Sequence, residues 1–255
     1  MASTHFLVTF GLTSELLSES QVSISIAQTL SLSRLPSHFP TILLAFAAFQ
    51  LLDWISPILL ACVFPLHFGH ANRRVKQNWV MRVISMAHAL TVIPLALSCL
   101  NLPELERDRA FGFDPHAGRL YAIACGFIWD TLDSIIHFNS IGFVAHGALC
   151  LMVYALAFRP FLGYYGARFL LWELSTPFLN IHWFLDKTNR TGGLLQLING
   201  IMLLATFFLV RICYGGWMSL RFFYTLKEVK GEIPTVVAAA YGLGNLVLQA
   251  LNWFW

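Results

Sequence analysis

The sequence predicts an all-α fold, a polytopic transmembrane helix bundle of about seven spans. Three observations predict it. Of the 255 residues, 57 % are hydrophobic and only 11 % charged, where an average soluble chain is about 25 % charged. The mean hydropathy is +0.67. Long, continuous apolar runs recur along the chain, and about 20 apolar residues suffice to cross the hydrocarbon core as a helix. A membrane barrel instead needs alternating segments of roughly 10 residues with a polar lumen face. The net charge of +3 and the lack of a basic patch interleaved with aromatics exclude a nucleic-acid partner. Five cysteines (Cys62, Cys99, Cys125, Cys150 and Cys213) lie far apart in apolar runs without a C-x-x-C pair, so they read as buried thiols.

Residues 1–37 are Ser/Thr-rich and carry few charges, which predicts a poorly ordered N-terminal tail before a transmembrane domain over residues 38–255. Within the tail, Phe6 to Leu12 is too short for a signal-peptide core and lacks a basic flank. Gln21 to Ser33 alternates apolar and polar residues, as a strand-like or interfacial stretch would.

The first span is Thr41 to Phe64, holding Asp53 and Pro57 between flanking Pro40 and Pro65. After the basic loop Arg73 to Lys76, the second span runs from Trp79 to Leu100 with Arg82, Ser85 and His88, and Pro94 should kink it. A polar loop (Asn101 to Gly118) leads to the third, Leu120 to Asn139. There Asp130, Asp133 and His137 are spaced i, i+3, i+7 on one helical face. Two acids in a span cost roughly 5–7 kcal/mol on the insertion scale, so that face needs shelter and reads as cavity-lining. The fourth span, Ile141 to Phe158, follows with almost no loop and should form a tight hairpin with the third. In it His146, Cys150 and Tyr154 recur at i, i+4, i+8.

The fifth span, about 166–185, contains W-E-L-S-T-P-F-L-N-I-H-W from Trp172 to Trp183. Glu173, Pro177 and Asn180 share a face at helical spacing, and an ionised carboxylate there should point into protein or a wet cavity. A polar turn (Asp186 to Gly193) precedes the sixth span, Leu194 to Cys213, with Asn199. Beyond Trp217 a mixed piece bearing Arg221, Lys227, Glu228 and Lys230 reads as interfacial. The seventh runs from Pro234 to Trp255, with Asn245, Gln249 and Asn252 on one face as helix contacts. An interfacial aromatic cluster is normally followed by a polar tail, so the ending Asn252-Trp253-Phe254-Trp255 reads as that of a truncated chain. Basic residues after the first span predict a cytoplasmic Arg73 to Lys76 loop. Metal sites are not expected: no H-x-x-x-H or H-E-x-x-H spacing occurs.

N-W-V-M-R-V-I-S-M-A-H-A, Trp129-Asp130, the His146 helix, W-E-L-S-T-P-F-L-N-I-H-W, I-N-G-I-M and F-F-L-V-R-I together resemble the TLC-domain family. The likeness covers about Leu43 to the end and is nearest to the transmembrane-protein-56 type, more distantly to ceramide synthases. It implies helices around a central lipid-accessible cavity, usually in the endoplasmic reticulum. Carried over, Arg82, Ser85 and His88 match the family's first polar helix and Asp130 its intramembrane acid. Glu173, Ser175, Pro177 and Asn180 match the later motif, with Asn199 and Arg211 in the helix after it. Ceramide synthases carry two adjacent histidines where this chain has Ala145-His146, which puts their acyl transfer in doubt here.

The expectation is therefore a multi-pass protein that binds or handles a membrane lipid and contributes to lipid homeostasis. Its cavity would be lined by Arg82, Ser85, His88, Asp133, His137, Glu173, Ser175, Asn180 and Asn199. No cofactor is expected, and homo-oligomerisation is left open. The alternative is an N-acyltransferase with His146 and Asp130 as catalytic residues and acyl-CoA as substrate. A proton-linked transporter built on Asp53, Asp130, Asp133 and Glu173 is the minor alternative, without a discontinuous-helix pair or repeat to support it.

Overall fold

The computed structural model describes residues 15–18, 20–138 and 140–254, and its regular structure there is entirely helical. The apolar stretch at 6–12 lies outside the described residues. Gln21 to Ser33 is not strand-like: Gln21–Leu30 is a helix, α1. The serines that imitate a period of two are its hydrogen-bonding devices. Ser20 accepts from the Ser23 amide, and the Ser23 hydroxyl donates to the carbonyls of Ser18 and Ser20. Such caps and back-bonds satisfy groups a helix end leaves open. Ser31, at φ 55°, ends α1 in the left-handed region. Leu32 is then buried, and the Arg34 amide donates to the Phe158 carbonyl at 2.9 Å. The proposed tail of residues 1–37 thus gives way, from Ser20 on, to a helix packed on the bundle.

α2 (Leu35–Val63) absorbs both Pro40 and Pro57, and the short α3 (Pro65–Phe68) follows. α4 (Arg73–Ser98) starts at an Asn72 cap, whose side-chain oxygen accepts from the Val75 amide. After α5 (Pro103–Arg107), the third run is two helices, α6 (Pro115–Ala124) and α7 (Phe127–Ile136). The break falls at Cys125-Gly126, where the Phe49 ring occupies the place of a side chain on Gly126. α8 (Ile141–Leu156) makes the expected hairpin. The fifth crossing is also composite: α9 (Gly163–Leu170), a 3-10 turn (Leu171–Ser175) and α10 (Thr176–Lys187).

The sixth crossing departs most from expectation. α11 (Leu194–Phe207), a π-helical stretch (Phe208–Tyr214) and α12 (Gly215–Glu228) run on as a continuous 35-residue rod. The piece after Trp217 is therefore not a separate interfacial helix. It buries Met218, Phe222 and Thr225, and the Tyr165 hydroxyl donates to the Arg221 carbonyl at 3.0 Å. α13 (Thr235–Phe254) closes the chain. Four of these elements, α2, α4, the rod and α13, are long and apolar enough to cross a membrane.

Contacts between loops show that successive crossings alternate in direction. On one side Leu162 N–H donates to the Ala110 carbonyl, and Arg168 donates to the Leu100 carbonyl and to Glu106, each at 2.6 Å. On the other, the Asn189 amide meets His67 at 3.4 Å and Gln77 donates to Asp133 at 2.8 Å. The Arg73 to Lys76 stretch and the Asp186 to Gly193 turn thus share a side. The outward faces are apolar, with Ile58 66 % and Leu204 71 % exposed; a protein with this surface has lipid as its solvent. A core of Tyr121, Phe158, Phe161 and Tyr165 packs near the first side. A second cluster around Trp79 joins α2, α4 and α10 near the other.

Candidate functional site

A cavity opens between α8, the fifth crossing, the rod and α13, with about 590 Å³ of unfilled space, part of it open to the surroundings. Val153, Phe169, Phe222 and Leu248 supply apolar wall, while His146, Glu173, Arg211 and Asn245 bring polar groups to it. Glu173, Arg211 and Asn245 each fall near the middle of their crossing, so the polar groups sit deep between the two ends.

Local backbone geometry explains how they get there. A 3-10 turn winds three residues per turn, and in Leu171–Ser175 it sets Glu173 on the cavity wall. Pro177 then opens α10, where a missing N–H costs nothing. The π-helical stretch does the same for Arg211: such stretches shift register and favour functional positions. Arg211 is only 7 % exposed. Its Nε donates to the Trp172 carbonyl at 3.1 Å and to Ser175 Oγ at 3.0 Å. Nη1 donates to Asn252 Oδ1 at 3.1 Å, and Nη2 reaches Thr176 Oγ1 at 3.4 Å. One guanidinium therefore ties the 3-10 turn, the rod and the last helix together. Gln249 adds a bond to the Arg211 carbonyl at 3.1 Å.

On α8, His146, Cys150 and Tyr154 all line the cavity, as their spacing places them on one face. His146 Nε2 and Cys150 Sγ are 3.8 Å apart, and Tyr154 donates to the Gly166 carbonyl at 3.3 Å. Asn245 Oδ1 and Trp172 Nε1 are buried without a protein hydrogen-bond partner, which is costly unless something else satisfies them. The Trp172 nitrogen is wedged against Gly215, where a Cβ would clash with it. The site thus offers a mostly apolar cavity whose wall also carries an imidazole, a carboxylate, a guanidinium and an amide group. That set can hold and orient a head group and supply a general base.

The remaining expected residues sit elsewhere. Asn180, fully buried, accepts from Arg82 Nη1 at 3.2 Å and donates to Ser85 Oγ at 3.3 Å. Arg82 also lies over the Trp183 ring. These three form a knot between α4 and α10, not cavity wall. Glu173 and Asn180 part company because the 3-10 turn breaks the helical register on which the shared face was counted. His88 is buried beside Phe49, and Asn199 donates to the Phe178 carbonyl at 2.8 Å as a helix tie. The Asp130/Asp133/His137 face also divides. Asp133 accepts from Gln77 and pairs with His137 Nδ1 at 2.8 Å. Asp130 instead turns to α8, where a Cβ on Gly147 would lie 3.0 Å from its Oδ2. Of the expected set, His146 and Glu173 line the cavity, and Ser175 is one bond away through Arg211. Trp172 and Asn245 also line it, although neither is among the expected site residues. Arg211, the lone cation in its apolar run, carried the usable signal of an intramembrane charge.

A model of the TLC domain matches residues 78–255. The chain is 39 % identical to an uncharacterized TLC domain-containing protein of Schizosaccharomyces pombe, over 88 % of this chain and 78 % of that protein. It is 34 % identical to TLC domain-containing protein 4-B of Danio rerio, over 83 % of each. Against topoisomerase I damage affected protein 4 of Saccharomyces cerevisiae the identity is 28 %, over 86 % of this chain and 82 % of the relative. No solved structure matches.

Proposed function

Because the chain belongs to the TLC-domain family, we propose that this multi-pass membrane protein holds a lipid in the cavity between α8, the fifth crossing, the rod and α13. Through that binding it contributes to lipid homeostasis, in the endoplasmic reticulum. One observation carries the reading: a mostly apolar cavity in the depth of the bundle takes His146, Glu173, Arg211 and Asn245 into its wall. A hydrocarbon chain lies against Val153, Phe169, Phe222 and Leu248, trading bilayer neighbours for equally apolar side chains, so the polar groups decide the affinity. The polar group of the same lipid lies at the imidazole and the unpartnered Asn245 oxygen. No cofactor enters this reading. Photo-crosslinking tests it: cells are fed a diazirine-bearing fatty acid, and labelled peptides are mapped. Labels on 146–154 or 241–248 support the reading; labels confined to outward residues such as Leu204 and Ile58 contradict it.

A second reading, acyl transfer from acyl-CoA, rests on His146 standing in the cavity with Glu173 and Cys150. Glu173, not Asp130, is then the carboxylate on the imidazole's own cavity wall. Of the acids in the transporter reading, three are held by different neighbours. Asp53 accepts from Gln50 at 3.1 Å, Asp133 is held by Gln77 and His137, and Asp130 packs on Gly147.

A further inference from the structure

A second pocket, sharing no residue with the cavity, lies where α4 begins and α7 ends. Arg73, Arg74, Gln77, Asn78 and His137 line about 640 Å³ of unfilled space with a broad mouth. The two arginines, Gln77 and Asn78 each have N–H groups to spare for it, and none of the five residues is acidic. Among the described residues neither arginine is paired with a carboxylate. Both stand at the first turn of a 26-residue helix, whose N-terminal end adds partial positive charge.

The pocket is also pre-set from below. Asp133, only 6 % exposed, accepts from Gln77 Nε2 and from His137 Nδ1, each at 2.8 Å. That fixes the amide and the ring and leaves His137 Nε2 as the nitrogen available to the pocket. The position relative to the bilayer follows from the neighbours. Ile136, Phe138 and Ile141 flank His137 and are 73 %, 59 % and 74 % exposed, so an apolar collar adjoins the basic pocket. Guanidinium forks match phosphate oxygens two at a time, and a free phosphate ion would have no use for the collar.

We propose that this pocket binds the phosphomonoester head group of an anionic phospholipid, whose chains lie against Ile136, Phe138 and Ile141. The site is separate from the cavity and stands whether or not the cavity holds a lipid.

The test uses the full chain in nanodiscs or mild detergent and three probes: dioctanoyl phosphatidate, dioctanoyl phosphatidylcholine and inorganic phosphate. Binding is read by thermophoresis for the native protein, Arg73→Gln/Arg74→Gln and Lys76→Gln. Lys76 is a neighbouring cation outside the pocket, set over the Phe68 ring, and it controls for diffuse attraction, about 1 kcal/mol per surface cation. The native protein should bind phosphatidate at least about tenfold more tightly than phosphatidylcholine or phosphate, and the double variant should lose that margin. Lys76→Gln should keep it, and the variants should melt with the native protein. Equal binding of phosphatidylcholine overturns the proposal, as does an equal loss in Lys76→Gln. Phosphate binding as tightly as phosphatidate overturns the lipid assignment. Should the double variant melt early, His137→Gln replaces it, and full retention of phosphatidate binding there overturns the site.

Discussion

Replacing Arg211 by leucine should destabilise the bundle more than any other single change at the cavity. The native guanidinium is 7 % exposed and makes four hydrogen bonds, to Trp172 O, Ser175 Oγ, Asn252 Oδ1 and Thr176 Oγ1. Hydrogen bonds to a charged group are each worth about 1.5–3 kcal/mol, but desolvating the cation takes back several kcal/mol. Breaking a buried charged arrangement by removing one member typically costs about 3–5 kcal/mol, and that is the figure expected here. At about 2–4 °C per kcal/mol for chains near this size, the midpoint falls by roughly 6–20 °C. Tryptophan fluorescence during a thermal ramp in detergent reads it, with Trp172 beside the break. Arg211→Lys keeps the charge but not the fork and should fall between. Asn252→Leu removes one of the four bonds and should cost about 1.5–3 kcal/mol. If Arg211→Leu melts within about 2 °C of the native protein, the guanidinium is not what joins the turn, the rod and the last helix.

Further outcomes follow from other contacts. Glu106→Gln leaves the buried Arg168 without its 2.6 Å carboxylate partner; since Glu106 is partly exposed, about 1–2 kcal/mol is expected, read by the same ramp. Gly147→Val places side-chain atoms where a Cβ already lies 2.9 Å from Thr131 Oγ1, so it should overpack the α7–α8 hairpin by about 1–3 kcal/mol and lower expression. In microsomes given labelled acyl-CoA and a sphingoid base, the lipid-holding reading predicts no product from the native protein. Robust product that His146→Ala lowers by about 10²–10⁴ would establish the transferase reading instead. Asn189-Arg190-Thr191 shares the side of Arg73 to Lys76, and a cytoplasmic side predicts no glycan on Asn189; a glycosidase-sensitive mass shift in cells would reverse that orientation.

The apolar runs made the crossings legible, because hydrocarbon length and backbone hydrogen bonding leave little choice of structure in a membrane. What they hid is every departure from the 3.6-residue repeat. The break at Cys125-Gly126 depends on Phe49, some 75 residues away. The 3-10 turn at Leu171–Ser175 separates Glu173 from Asn180, although a helical wheel unites them. The π-helical stretch around Arg211 reads as plain apolar helix, and its turn toward the cavity rests on partners in two other crossings. Of the candidate site, the His146, Cys150, Tyr154 face was readable because α8 is regular throughout. Asn245 was legible only as a helix contact, since its unpartnered oxygen is a property of the packed bundle. The serines of α1 misled for a different reason: their alternation serves hydrogen bonds along a helix, not the two faces of a strand.

Lipid occupancy is the most direct measure of the central claim. The protein is purified in mild detergent and its co-purifying lipids are quantified by mass spectrometry. A Val153→Trp variant, which fills the cavity from its apolar wall, and a Leu204→Trp variant on the outward face are treated alike. The account predicts one lipid class retained near one per native chain, kept by Leu204→Trp and lost from a folded Val153→Trp. Equal lipid content and identity in all three would contradict it.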